Sequence, residues 1–218
     1  MGNPTTIVIT ISRQFMSGGS AIGRKVAEEL GFRYADRDIL EKAAGLLGEE
    51  PDRLAQDEER GATAWERFLL SIPLGAVAPV YPTVPSPAGY RQELFDAEAR
   101  IIREIAKRHD AVVMGRAGTY LLKGHPGLIS VFVHAPKAFR VGAAMEKLGL
   151  EDEKAARELV ERTDRDRELF VKRAAGAEWS DLRNYHLTLD SSRCGVDCGA
   201  GMIIGLARSL RESSGAKG

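Results

Sequence analysis

The amino-acid sequence predicts an α/β fold built on a parallel sheet with helices on both faces. Segments rich in β-branched residues alternate with amphipathic helical segments throughout, and the strand segments are near-continuous apolar runs rather than apolar–polar alternations. A pair of glycines follows the first of these runs, where a strand hands over to a helix. With 218 residues, the chain can bury a substantial core as one domain without disulfide staples.

The elements follow in order. Thr5 to Ser12 is a strand, with Ile7, Val8, Ile9 and Ile11 giving the run expected of a central strand. Ile22, Val26 and Leu30 then recur at four-residue intervals, with Arg24, Lys25, Glu28 and Glu29 on the other face and Gly31 as a stop. Phe32 to Asp36 is a short second strand, and Asp38 can cap a helix from Ile39 to about Leu47. The stretch from 48 to 92 is an excursion, first charged and then proline-rich. Five of the nine prolines, at 73, 79, 82, 85 and 87, exclude a regular helix there. Leu94, Ile101, Ile102 and Ile105 share one helical face and lead into a strand from Ala111. Leu128 to His134 is the next strand, and a helix carrying Phe139, Met145 and Leu148 follows. A long charged helix from Glu151 to Arg173, a strand from Tyr185 to Asp190 and a helix from Val196 to Leu210 complete the chain.

Lys plus Arg and Asp plus Glu both number 31, so no global field draws the protein to nucleic acid or to an anionic membrane. Any anion site is therefore local. Cys194 and Cys198 lack zinc-knuckle spacing, and His109, His125, His134 and His186 have no ligand spacing among them, so no metal site is expected. The apolar run near the start is too short for a signal-peptide core or a membrane span, which makes the cytoplasm the expected compartment.

In open parallel sheets ligands gather beyond the carboxyl ends of the strands, and the first strand-to-helix turn is a common phosphate seat. Here that turn runs from Ser12 to Ser20. Gly18 and Gly19 let backbone N–H groups approach an anion, the next helix points its positive end at the same spot, and Arg13 supplies a cation. Gly18 to Arg24 matches the letters of a P-loop with Arg24 in the lysine position. That register would take Ile22 off the face it shares with Val26 and Leu30, so the helix is expected to begin near Ser20. Gly19 then stands where a P-loop lysine sits, with Ser20 or Ala21 at the metal-binding hydroxyl position.

Taken together, ITISRQFMSGGSAIGRKVAEELGFRYADRDIL, AVVMGRAGTYLL, RTDRDRELF and YHLTLDSS resemble the cytidylate kinase-like family, over most of the chain outside about 50 to 92. The resemblance implies a three-layer P-loop kinase-like fold with a five-stranded parallel sheet and a helical, arginine-bearing lid at about 151–175. It also implies ATP with Mg2+ as cofactors and a small phosphate acceptor, CMP or dCMP favoured. Ser17, Gly18, Gly19, Ser20 and Ala21 correspond to the loop around the ATP phosphates, Asp36 and Arg116 to acceptor-binding residues, and Arg162, Arg165 and Arg167 to lid arginines. Read alone, Asp36 is a turn cap, and the alternating Arg and Asp from 162 to 167 are a solvated helix face.

Cytidylate kinases carry a P-loop lysine and acidic residues on either side of the Gly-Arg pair. This chain has Gly19, Met114 and Ala117 at those places. Arg13 is the expected replacement for the lysine. Two alternatives stand beside the kinase reading: a nucleotide-binding regulatory protein without catalysis, and a kinase of another small molecule. The apolar proline-rich segment 62–92 is expected to form either a flap over the substrate or a homodimer contact.

Overall fold

The structure, a computed structural model, describes residues 6–36 and 92–215. The expected helix at 39–47, the charged stretch and nearly all of the proline-rich segment lie outside the described residues. The strands are β1 (Val8–Arg13), β2 (Arg33–Ala35), β3 (Ala111–Met114), β4 (Leu128–His134) and β5 (Leu187–Asp190). The helices are α1 (Gly19–Leu30), α2 (Gln92–Arg108), α3 (Gly118–Leu121), α4 (Lys137–Leu148), α5 (Glu153–Ala175) and α6 (Ser191–Gly215), the last interrupted by non-helical backbone at Gly195.

The five strands form one wholly parallel sheet in the order β2-β3-β1-β4-β5. β1 is central, with Val8 opposite Ala111 on one side and Leu128 on the other. Its continuous apolar run is two interleaved half-patterns. Ile7, Ile9 and Ile11 pack with Ile22 and Val26 of α1 and Ile203 and Ile204 of α6, while Val8 packs with Ile101, Ile102 and Ile105 of α2. A strand covered on both faces has no polar face to show, so alternation disappears from its sequence. Each fully buried isoleucine of this kind contributes roughly 1.5–3 kcal/mol of transfer free energy.

β1 is also where the strand order reverses, since the chain goes to β2 and β3 on one side before β4 and β5 on the other. The crevice beyond the carboxyl end of β1 is thus the natural ligand position. The predicted lid helix is α5, and it lies packed against this region. Ala156 and Val160 bury against Phe15 and α4, whereas Val171 joins Phe132, Trp179 and Tyr185, and Phe170 packs beside Phe95 and Ala117. Two expectations are corrected in detail. Phe139, one of the apolar residues read on this helix, is 47% exposed, and Arg24 leaves the solvated face of α1 for the site below. The short helix α3 and the 3-10 turn Leu182–Asn184 have too few residues for a periodic signal.

Candidate functional site

The phosphate-seat turn is held by its own backbone and by the end of β4. Gln14 N–H donates to Val133 O at 2.9 Å, and Gln14 Oε1 accepts from Ala135 N–H at 3.2 Å. The Ser17 hydroxyl lies 2.8 Å from Gln14 O and 3.2 Å from Val133 O, so it locks the bend from within. Gly18 adopts a φ of 75° and α1 begins at Gly19, one residue before the position expected. The helix has no side-chain cap and no acidic residue in its first turn. Among the described residues the amides of Gly18, Gly19 and Ser20 have no acceptor, so orphan donors and the positive end of a 12-residue helix converge on one spot.

Arg13 crosses this spot. A Cβ placed on Gly19 would lie 2.6 Å from Arg13 Cβ and 3.1 Å from Arg13 Cγ, so the arginine stem fills the volume that any side chain at 19 would need. The guanidinium reaches the end of β3, where a Cβ on Gly115 would meet Arg13 Nη1 at 2.5 Å. An arginine at 13 and a lysine at 19 are therefore sterically exclusive. Arg13 Nε is buried and has no hydrogen-bond partner among the described residues. Burial lowers the Arg13 pKa; Tyr34 and Asp36 oppose that shift and Arg24 adds to it. Arg24 Cζ lies 5.8 Å from the Tyr34 ring centre, which brings a second guanidinium to the same pocket.

Helices α4 and α5 grip the turn from outside. Asp164 Oδ1 accepts from Phe15 N–H at 2.7 Å and its Oδ2 accepts from Arg140 Nη1 at 2.6 Å. Arg140, 4% exposed, also donates to Ala135 O at 3.0 Å and to Phe15 O at 3.2 Å. Arg167 donates to Arg13 O at 2.6 Å. Burial, with Arg13 and Arg140 nearby, pulls the Arg167 pKa down to about 9, against the opposing pull of Asp164. At neutral pH it remains charged.

On the β3 side, Arg116 has a φ of 52° and is held by Glu98, whose Oε2 accepts from Arg116 Nε at 2.8 Å and also from Nη2. Glu98 is fully buried, and the Arg116 guanidinium lies 4.5 Å from the Phe170 ring centre. Glu98 thus supplies, from α2, a buried acidic partner for Arg116. Glu98 was not expected from the sequence; the signal that could have found it is a charged residue on the α2 face that carries Phe95, Ile102 and Ile105. Asp164 and Arg140 carried no signal beyond ordinary helix-face charges.

The structure brings together Arg13, Ser17, Gly18, Gly19, Ser20, Ala21 and Arg167, with Asp36 facing Arg13. Arg116 stands at the adjoining end of β3, its side chain engaged by Glu98 and Phe170. Arg162 and Arg165 do not join them; both are exposed, and Arg165 faces Glu161 on the solvent side of α5. On the α4 side of the turn a cleft of about 430 Å³ is lined by Ser17, Gly18, Phe139, Gly142, Lys147 and Ser191, among others. Among the described residues no group of three His, Cys, Asp or Glu could hold a metal ion, and β3 ends in the buried, apolar Met114.

A model of the cytidylate kinase-like family matches residues 8–193. The chain belongs to the cytidylate kinase-like family. The cytidylate kinase of Pyrococcus furiosus is 26% identical over 191 residues, covering 88% of this chain and 83% of that protein. That of Methanopyrus kandleri is 26% identical over 202 residues and covers 88% of both. Among solved structures, an uncharacterized protein from Eubacterium ventriosum aligns with a TM-score of 0.67 at 23% identity, over 94% of this chain and 99% of that one. A shikimate kinase from Bacteroides thetaiotaomicron aligns with a TM-score of 0.50 at 10% identity, over 93% and 98%. These likenesses show the fold, which is the three-layer P-loop kinase-like fold expected. This member of the cytidylate kinase-like family has adjacent glycines where α1 begins, with the stem of an arginine from the preceding strand filling the space beside Gly19.

Proposed function

We propose that this protein is an ATP-dependent kinase of nucleoside monophosphates, with CMP and dCMP the favoured acceptors. The observation that carries the reading is Arg13, threaded past Gly19 to Gly115 at the junction of the phosphate-seat turn and β3. Phosphoryl transfer moves the γ-phosphoryl group from the ADP oxygen to an acceptor phosphate oxygen, and it needs positioning and positive charge more than covalent chemistry. The amides of Gly18, Gly19 and Ser20 bind the donor phosphates, with Ser17 fixing the bend and Ala21 continuing the first turn. Arg13 stabilises charge on the transferring group, and Arg167 holds the Arg13 backbone. Arg116 and Asp36, at the ends of β3 and β2, receive the acceptor. The names of the archaeal relatives favour a cytidine nucleotide.

Bound magnesium would neutralise charge on the β- and γ-phosphates. The described residues do not fit a protein-held magnesium site, because β3 ends in Met114 rather than a carboxylate and Ser20 offers one hydroxyl. Met114 also favours a second reading, a nucleotide-binding protein with little turnover. Among the described residues no helix is long and apolar enough to cross a membrane, and ATP supply makes the cytoplasm the compartment this reading calls for.

The test is a coupled ATP-consumption assay across monophosphates, run beside calorimetric titration with MgATP. Turnover with CMP or dCMP that falls roughly 10²–10³-fold in Arg13→Ala supports the kinase. Binding without turnover for any acceptor selects the second reading, and no binding sinks both.

A further inference from the structure

The turn between β1 and α1 is held on its outer side by one carboxylate, that of Asp164. Asp164 lies on α5, more than a hundred residues from the turn in sequence, yet its two oxygens take Phe15 N–H and the Arg140 guanidinium. Arg140 returns to Phe15 O and Ala135 O, so the amide and carbonyl of Phe15 are both held through the same ion pair. The Phe15 ring, 2% exposed, is packed between α4 and α5 by Val141, Ala144, Ala156 and Val160. One and three residues further on, the chain must turn through Met16 at a φ of 59° and Gly18 at 75° before its amides face the anion position. A non-glycine residue at positive φ persists only where its surroundings over-determine it. The clamp on Phe15 supplies one side of that constraint, and the Ser17 hydroxyl bonds supply the other.

We propose that Asp164 is a positioning residue: with Arg140 it holds Phe15 so that the Gly18–Ser20 amides stay converged for a phosphate chain. α5 thus contributes to the shape of the turn through Asp164, whose carboxylate meets the Phe15 amide. The inference rests on the nucleotide-binding reading for its consequence, but the clamp has a readout of its own. Removing the acceptor leaves the Phe15 N–H unsatisfied in a buried place, a loss that corresponds to roughly ten- to a hundredfold in an equilibrium constant.

The experiment measures amide exchange at Phe15 and ATP affinity in the full chain and in Asp164→Ala, Asp164→Asn and Arg140→Ala, with Asp166→Ala on the exposed side of α5 as control. In Asp164→Ala the expected result is Phe15 exchange accelerated and ATP bound roughly ten- to a hundredfold more weakly, with the acceptor KM little changed. Asp164→Asn, which keeps an oxygen for Phe15 N–H, should recover part of both losses. Asp164→Ala and Arg140→Ala should be non-additive when combined, and Asp166→Ala should match the parent. Wild-type exchange at Phe15 in Asp164→Ala, or fast exchange with unchanged ATP affinity, overturns the proposal. Failure of the parent chain to bind ATP sinks the kinase reading instead; Phe15 exchange then still decides whether Asp164 holds the turn.

Discussion

Gly19→Ala tests the steric core of the site. The added methyl would stand 2.6 Å from Arg13 Cβ, 3.1 Å from Arg13 Cγ and 3.2 Å from Val133 Cβ. The first atom is tied to the main chain of β1, so rotation of a flexible side-chain end cannot relieve the contact. Overpacking of this kind costs about 1–3 kcal/mol, while alanine regains about 1 kcal/mol over glycine inside a helix. The net expectation is a loss of roughly 0–2 kcal/mol in stability, with a larger loss of ATP affinity because the guanidinium is displaced from Gly115. Gly205→Ala is the control, since a Cβ there meets nothing within 4 Å and should stabilise the protein by about 0.5–1 kcal/mol. Urea denaturation and calorimetric ATP titration measure both quantities. In an Arg13→Gly background most of the clash disappears, so Gly19→Ala should then cost clearly less than in the parent. If Gly19→Ala is as stable as Gly205→Ala and binds ATP like the parent, Arg13 does not fill the lysine's space.

Glu98→Ala leaves the Arg116 guanidinium without its buried carboxylate, so denaturation should show a loss of about 3–5 kcal/mol. The milder Glu98→Gln should raise the acceptor KM while leaving ATP affinity in place. On α5, Arg167→Ala should lower turnover, whereas Arg165→Ala, on the exposed face, should change stability by no more than about 0.5 kcal/mol and leave turnover unaltered. Tyr185 gives a pH prediction. Burial raises its hydroxyl pKa well above the usual 10.0, and the hydroxyl donates to Trp179 O at 2.7 Å. The unfolded chain therefore ionises first. Tyr185 contributes its full stability below pH 10 and loses it above, at about 1.4 kcal/mol per pH unit, a slope that should be absent in Tyr185→Phe.

The sheet and its helices were legible from local pattern. β4 was predicted at its observed bounds, α1, β3 and α5 within a few residues, and the helices α2 and α4 in their places, because apolar periodicity records which faces are buried. The glycine pair marked the strand-to-helix turn, where the φ of 75° at Gly18 and the Arg13 stem against Gly19 exclude side chains. Arg13 was legible as a cation at a strand exit, but its path past Gly19 to Gly115 was not.

What the amino-acid sequence determined by itself was the run of elements, the turn and the stock of arginines. Tertiary structure decided which arginines are used. Arg167 faces the turn while Arg165, two residues away, faces solvent, because the apolar contacts of Val160 and Val171 fix the rotation of α5. Arg116 acquires its partner from Glu98, 18 residues earlier, and Asp164 reaches Phe15 across 149 residues. Such pairs leave no local pattern, since a charge signals its own solvation preference but not the distant group that will satisfy it once packing brings the two together.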